Sequence, residues 1–140
     1  MYTCIEPLLW MFSYYGIALE AHQQNLLVKL DAEGLPIHGY YRDSQGYYIS
    51  EEAMLRYPEH GEIFSTFASG TTKFVNHHFS YYLIGNSLLG VINALSASKE
   101  INEQILINNV QDKFKSWQQK WHDAPYDYLG SLLTRSTLPY

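Results

Sequence analysis

One cysteine in 140 residues, Cys4, leaves nothing for an intramolecular disulfide or a cysteine-built zinc site. That usage fits a reducing compartment, and the cytoplasm is the expected location. Charged residues are also scarce, at 16%, and Lys plus Arg (9) is outnumbered by Asp plus Glu (14), for a net charge of −5. No run of one sign occurs, so the basic face that a general nucleic-acid binder needs is missing. No glycine-rich phosphate loop and no Walker pattern is present. The first residues, Met1 to Glu6, lack the basic segment that opens a signal peptide. Two uncharged stretches bear on membrane insertion. Pro7 to Leu19 is only 13 residues long, and Val75 to Ser98 carries Asn76, His77, His78, Ser80, Asn86, Ser87, Asn93 and Ser96. The first is too short to span, and the second would strand polar groups in hydrocarbon, so no membrane partner is expected.

What the chain does have is apolar and aromatic weight: 46% hydrophobic residues, with 13 Tyr, 6 Phe and 3 Trp. That is enough to bury the core of one domain and argues against disorder. Glu6-Pro7 suits a helix start, and the apolar residues from Leu8 to Leu19 go all round, predicting a helix with neighbours on most sides. After Asn25 the pattern changes. Leu26 to Leu30 and Ile37 to Arg42 flank the turn Asp31-Ala32-Glu33-Gly34 and predict an antiparallel hairpin. Tyr47 to Ile49 adds a third short strand, and Ser50 caps a helix that stops before Pro58. Glu59 to Gly70 reads as loop. A long helix, capped by Thr71 or Thr72, is expected to about Ser98. Ser98 is a candidate cap for the next helix, striped by Ile101, Ile105, Val110, Phe114, Trp117 and Trp121, and Asp123-Ala124-Pro125 starts a last one through about Arg135. The fold class is α+β: residues 1–50 carry the hairpin and its polar motif, and residues 51–140 are mostly helical.

The densest polar group, Glu20-Ala21-His22-Gln23-Gln24-Asn25, lies where the apolar helix gives way to the hairpin. Arg42-Asp43 closes the hairpin, so Asn25 and Asp43 are expected to meet at one end of the sheet. Protein kinases hold Mg²⁺ with an Asn and a later Asp, and their catalytic acid precedes that Asn by five residues. Here Glu20 precedes Asn25 by the same interval. Oxygen ligands of this kind suit Mg²⁺ bridging to nucleotide phosphates. A plainer reading of the same residues stays open, in which Asn25 caps a helix end and Arg42-Asp43 is a surface ion pair.

The run Gly16 to Asn25, with its Glu-Ala-His-x-Gln-Asn core, followed by Tyr41-Arg42-Asp43, resembles the C-terminal part of the NRPS-independent siderophore (NIS) synthetases, the family of aerobactin synthetase. The likeness covers most of the chain, weakly past Thr72. It implies a palm-like part of an ATP-dependent ligase that adenylates a citrate-like carboxylate, condenses it with an amine or hydroxyl, and releases AMP. It implies ATP and Mg²⁺ as cofactors, with His22, Gln24 and Asn25 at the nucleotide and Glu20, Asn25 and Asp43 on the metal side. His22 and Arg42 would be catalytic, Arg42 acting at least to orient Asp43. His22 and Gln24 are expected to share one face of an extended segment. In the family the remaining ATP contacts lie upstream of the motif. The chain is therefore expected to be a piece of a longer enzyme, inactive alone, its partner either a missing N-terminal half or a second copy. A non-catalytic relative kept as a binding module is the alternative.

Overall fold

The computed structural model of the chain describes residues 2–43, 45–97 and 101–134. The first helix, α1, is Tyr2–Tyr15, and it begins four residues earlier than the Glu6-Pro7 pair suggests. Pro7 lies inside it and removes the N–H that would have bonded the Thr3 carbonyl. That carbonyl faces the hairpin instead: a Cβ on Gly39 would fall 2.9 Å from Thr3 O, and against Cys4 Sγ. Glycine at 39 thus lets a strand lie directly across the start of the helix. Ile5, Leu8, Leu9 and Phe12 are buried, while Trp10 and Tyr15 face solvent, so α1 is covered on most sides but not all.

The helix ends at Tyr15 rather than continuing to Leu19. Gly16 takes φ +68°, and its N–H closes on the Phe12 carbonyl at 2.9 Å, a left-handed C-terminal cap. The following Ile17–Leu19 is strand β1. β2 (Leu26–Leu30) and β3 (Pro36–Tyr41) form the expected antiparallel hairpin, in register from Leu26↔Tyr41 to Lys29↔His38. β4 (Tyr47–Ser50) joins β1, not the hairpin, with Ile17 opposite Ile49. The stretch read as loop after Glu59 holds β5 (Ala68–Gly70), which pairs parallel to β4 and completes a sheet ordered β1-β4-β5. Between β4 and β5 run α2 (Glu51–Arg56), one turn of 3₁₀ helix at Pro58–His60, and α3 (Gly61–Phe64). Ser50 Oγ accepts the Ala53 N–H at 3.1 Å, the cap its position predicted.

The long helical stretch starts at the Thr71 cap, with α4 (Thr72–Phe79) and α5 (Leu89–Ala97) as its two ends. Between them Ser80–Leu88 is wound as a π-helix. α6 (Glu103–Lys120) is capped by Asn102, whose Oδ1 accepts the Gln104 N–H at 2.8 Å; the Ser98 cap lies outside the described residues. Of its predicted stripe, Val110, Phe114 and Trp117 are buried, as is Trp121 just beyond, while Ile101 and Ile105 are exposed. α7 (Tyr128–Leu133) starts later than Asp123, because Asp127 supplies the cap to the Gly130 N–H at 2.9 Å.

One core ties these pieces together. Leu9 and Phe12 of α1, Ala18 of β1, Phe79 and Leu83 of the long helix, and Trp117 of α6 pack in a single buried cluster. Each of the leucines and phenylalanines among them contributes roughly 1.5–3 kcal/mol by leaving water. The motif segment and the helical segment therefore share a core, from which most of the hairpin projects exposed.

Candidate functional site

Glu20, at the end of β1, is set by the strand beside it. Its N–H donates to the Gly46 carbonyl at 2.8 Å, and a Cβ on Gly46 would fall 2.6 Å from Glu20 Cβ and 2.9 Å from Oε2. Gly46 thus leaves the space that the Glu20 carboxylate fills. After Ala21 the chain does not run extended: Gln23–Asn25 is a single 3₁₀ turn. In that winding residues three apart eclipse one another. His22 and Asn25 therefore share a side, with His22 Nε2 and Asn25 Nδ2 3.4 Å apart. Gln24 stands exposed on another side, so the common face expected for His22 and Gln24 is not formed.

Asn25 is buried, and its side-chain amide is the hub of the group. Nδ2 donates to the Glu20 carbonyl at 3.0 Å and to Asp43 Oδ2 at 3.2 Å. Asp43 Oδ1 accepts the Gln45 N–H at 2.9 Å. The Asp43 carboxylate is thus held from both sides, at the end of the hairpin where the Arg42 N–H reaches the Asn25 carbonyl at 3.2 Å. Glu20 Oε1 lies 3.9 Å from His22 Nε2. The Arg42 side chain is exposed, and among the described residues no ion pair joins it to Asp43, so the surface-pair reading finds no geometry here.

Two tyrosines close the group, Tyr41 from the motif itself and Tyr82 from the long helix. Burial, then the Asp43 carboxylate beside it, raises the Tyr41 phenol above its ordinary value. Burial, with Tyr48 and Glu20 next to it, does the same for Tyr82. Both side chains stay neutral and able to donate well past neutral pH. The Tyr82 ring meets the His22 imidazole edge-on at 5.9 Å. Tyr48 in turn lies 6.3 Å from Tyr82 and stacks on His78 at 5.0 Å. Neither of the two helix-borne residues was legible as part of the site, since Tyr82 and His78 lie more than fifty positions downstream. The only hint was an excess of tyrosine for the chain's length.

The arrangement offers two carboxylates, an imidazole, a buried amide and two phenols at the open end of a hairpin. Such a set can bind a hard cation through oxygen and donate hydrogen bonds to an anion. Among the described residues no cluster of three or more His, Cys, Asp and Glu is arranged to hold a metal by itself.

Comparison with known proteins bears on what this set serves. The family model described as "Ferric iron reductase FhuF-like transporter" matches residues 1–140. The spermidine-citrate ligase of Bacillus anthracis is 35% identical over 140 residues, which is 99% of this chain and 23% of that protein. The rhizobactin siderophore biosynthesis protein RhbC of Rhizobium meliloti (strain 1021) is 34% identical over 110 residues, 74% of this chain and 18% of its own length. The structure of aerobactin synthetase IucA from Klebsiella pneumoniae superposes with a TM-score of 0.76 at 29% identity, covering 89% of this chain and 22% of that one. This chain spans about a quarter or less of the length of each. With a family match along its whole length and a shared α+β fold, the chain belongs to the FhuF-like family, on the side of it occupied by the NRPS-independent siderophore synthetases of the aerobactin-synthetase kind.

Proposed function

We propose that this chain is the part of a siderophore synthetase that faces ATP and Mg²⁺ while a citrate-like carboxylate is adenylated and passed to an amine or hydroxyl. The observation that carries the reading is the convergence of the Glu20 carbonyl, the His22 ring and the Asp43 carboxylate on the buried Asn25 amide. The donor set fits Mg²⁺, a hard cation that takes carboxylate and amide oxygens and keeps several waters. Asp43 and Glu20 would hold it, with the Asn25 Oδ1 as a further oxygen. Bound Mg²⁺ would neutralise phosphate charge at the reacting phosphorus.

The chain's own residues do the rest. Asn25 Nδ2 orients the Asp43 carboxylate and pins the Glu20 backbone, so one carboxylate and the base of the other are placed before substrate arrives. His22 is positioned to donate to oxygen that gains charge as the carboxylate attacks the α-phosphorus, where fixed donors matter most. Tyr82, kept neutral, offers a second donor beside it. Arg42 and Gln24, both exposed, are free to reach phosphate or the activated carboxylate once the rest of a synthetase surrounds them.

The word reductase in the family description suggests a second reading. Cys4, the single thiol, lies under the hairpin with Sγ 3.7 Å from the Leu27 carbonyl, so this chain supplies no thiolate set for an iron–sulfur centre. The ligase reading has the carboxylate–amide group behind it; the reductase reading has no comparable group of side chains among the described residues.

The test is a chimera in which these 140 residues replace the matching residues of the Bacillus anthracis ligase. Citrate-dependent release of AMP from ATP by the chimera, lost in its His22→Ala and Asp43→Ala variants, is the expected result. An inactive but folded chimera would instead favour a non-catalytic binding module. Without the remaining parts of a synthetase, the 140-residue chain should release no AMP, since positioning of both reactants supplies about 7–11 kcal/mol of such a barrier.

A further inference from the structure

The π-wound stretch between α4 and α5 departs from α geometry over nine residues, and it lies against the motif. Ser87, itself buried, donates from Oγ to the Ala21 carbonyl at 2.6 Å. The Asn86 side-chain Oδ1 accepts the Gln23 N–H at 3.2 Å, and the Asn86 carbonyl accepts Gln23 Nε2 at 2.9 Å. Gln23 reaches that carbonyl only because Gly90 has no Cβ, whose position the Gln23 amide occupies. Ala21 and Gln23 flank His22, and Gln23 begins the 3₁₀ turn that carries Asn25. Three hydrogen bonds thus run from two neighbouring helical residues to the backbone and amide on either side of His22.

The winding explains how two adjacent residues can do this together. In an α-helix, residues five apart point well away from each other, so Tyr82 and Ser87 would diverge. With i→i+5 bonding the turn is wider, and residues four and five apart come to one side. Tyr82, Asn86 and Ser87 all meet the motif segment, one π turn apart. Insertions of this kind recur at functional sites because they re-aim side chains without breaking the helix.

We propose that Asn86 and Ser87 are positioning residues: bonded to Gln23 and Ala21, they set the angle at which the 3₁₀ turn presents His22 and Asn25, and the π winding is the device that lets both reach. They touch no reacting atom. Their effect passes through the backbone of residues 21–23. The activity consequences rest on the ligase reading given above, but the geometric ones do not.

The test therefore has two arms. In the first, the 140-residue chain is labelled for NMR, and the Gln23 amide, the Asn25 side-chain amide and the His22 ring signals are followed in Asn86→Ala, Asn86→Asp and Ser87→Ala. Asn86→Ala and Ser87→Ala should shift all three sets and speed exchange of the Asn25 amide protons, while Asn86→Asp, which keeps the acceptor, should restore the hydrogen-bonded Gln23 amide. In the second arm the same substitutions enter the chimera. Asn86→Ala and Ser87→Ala should lower kcat for citrate-dependent AMP release by about tenfold to a hundredfold, with the KM for Mg-ATP changing less than about threefold, as expected when positioned groups slip by an ångström or less. Asn86→Asp should recover most of the loss. Unmoved His22 and Asn25 signals in both alanine variants, even with a lowered Tm, would overturn the proposal and leave these bonds as ordinary packing. An inactive parent chimera would overturn the ligase reading, and the NMR arm would still decide the positioning role.

Discussion

Asn25 Nδ2 donates to Asp43 Oδ2 across 3.2 Å, joining the residue that opens the hairpin to the one that closes it. A hairpin brings its two ends together, and this bond turns that closure into a fixed pair of side chains. The same nitrogen also holds the Glu20 carbonyl, so the pair is anchored in the adjoining β1 segment. The first prediction concerns this hub. Asn25→Ala should cost about 1–3 kcal/mol, because it removes the donor to two acceptors in a buried site. Chemical denaturation of the chain measures it, and a loss under about 0.5 kcal/mol would mean that water replaces the amide without penalty.

Asp43→Ala should weaken Mg-ATP binding by the chimera about tenfold or more, the scale of one lost interaction with a charged group, at about 1.5–3 kcal/mol. Binding of free adenosine, which carries no phosphate, should change little. Calorimetry on both ligands separates the outcomes. Equal weakening of both would show that Asp43 supports the fold rather than the metal side of the site.

Gly46→Ala should be more damaging than its size suggests. The new Cβ would fall 2.6 Å from Glu20 Cβ and 3.1 Å from the Tyr41 hydroxyl, so the Glu20 side chain has to move. Overpacking of this kind costs about 1–3 kcal/mol. AMP release by the Gly46→Ala chimera should fall further than its loss of stability explains, because the displaced group is a carboxylate of the site. A variant with wild-type activity would remove Glu20 from the metal-side assignment.

Alkaline pH provides a test that needs no substrate. The Tyr41 and Tyr82 phenols are both raised, chiefly by burial. A raised phenol means that the folded chain holds its proton where the unfolded chain has lost it, so stability is fully present below the unfolded value of about 10 and falls as pH climbs through the folded values. Stability should therefore be flat to about pH 9 and then decline. Tyrosinate absorbance should include a late component, Tyr41 and Tyr82 among it, that ionises above the range of an ordinary phenol. In Tyr41→Phe and Tyr82→Phe variants that slope should shrink.

Trp117→Ala checks the core that the site rests on. Trp117 is 1% exposed and stacks on Trp121 at 5.8 Å. Removing it should cost about 3–5 kcal/mol. Thermal unfolding followed by circular dichroism would show this, and a small shift in Tm would mean that α6 contributes less to the core than its burial implies.

Several of these features are written in adjacent residues. The hairpin follows from two apolar runs around Asp31 to Gly34, and the Ser50 cap follows from residue type and position alone, while the choice of Thr71 over Thr72 came with the structure. The meeting of Asn25 and Asp43 needed only the hairpin, since its closure is local in sequence. The likeness of Gly16 to Asn25 and Tyr41-Arg42-Asp43 to the siderophore synthetases was legible for the same reason: the motif is a short string of adjacent side chains.

Neighbours along the chain thus settle turn geometry, caps, apolar period and the local motif between themselves. The tertiary structure decided the rest. Ile17–Leu19 continues an apolar run and became a strand because β4 lies beside it and Gly16 can turn the chain at positive φ. Ala68–Gly70 has little strand character and pairs because β4 offers a parallel edge. The 3₁₀ turn at Gln23–Asn25 and the π winding at Ser80–Leu88 press against one another, joined by Gln23, Asn86, Ser87 and Ala21. Neither irregularity is encoded by local propensity. Each costs backbone regularity and is repaid by hydrogen bonds between residues more than sixty positions apart, an exchange that only the packed chain can make.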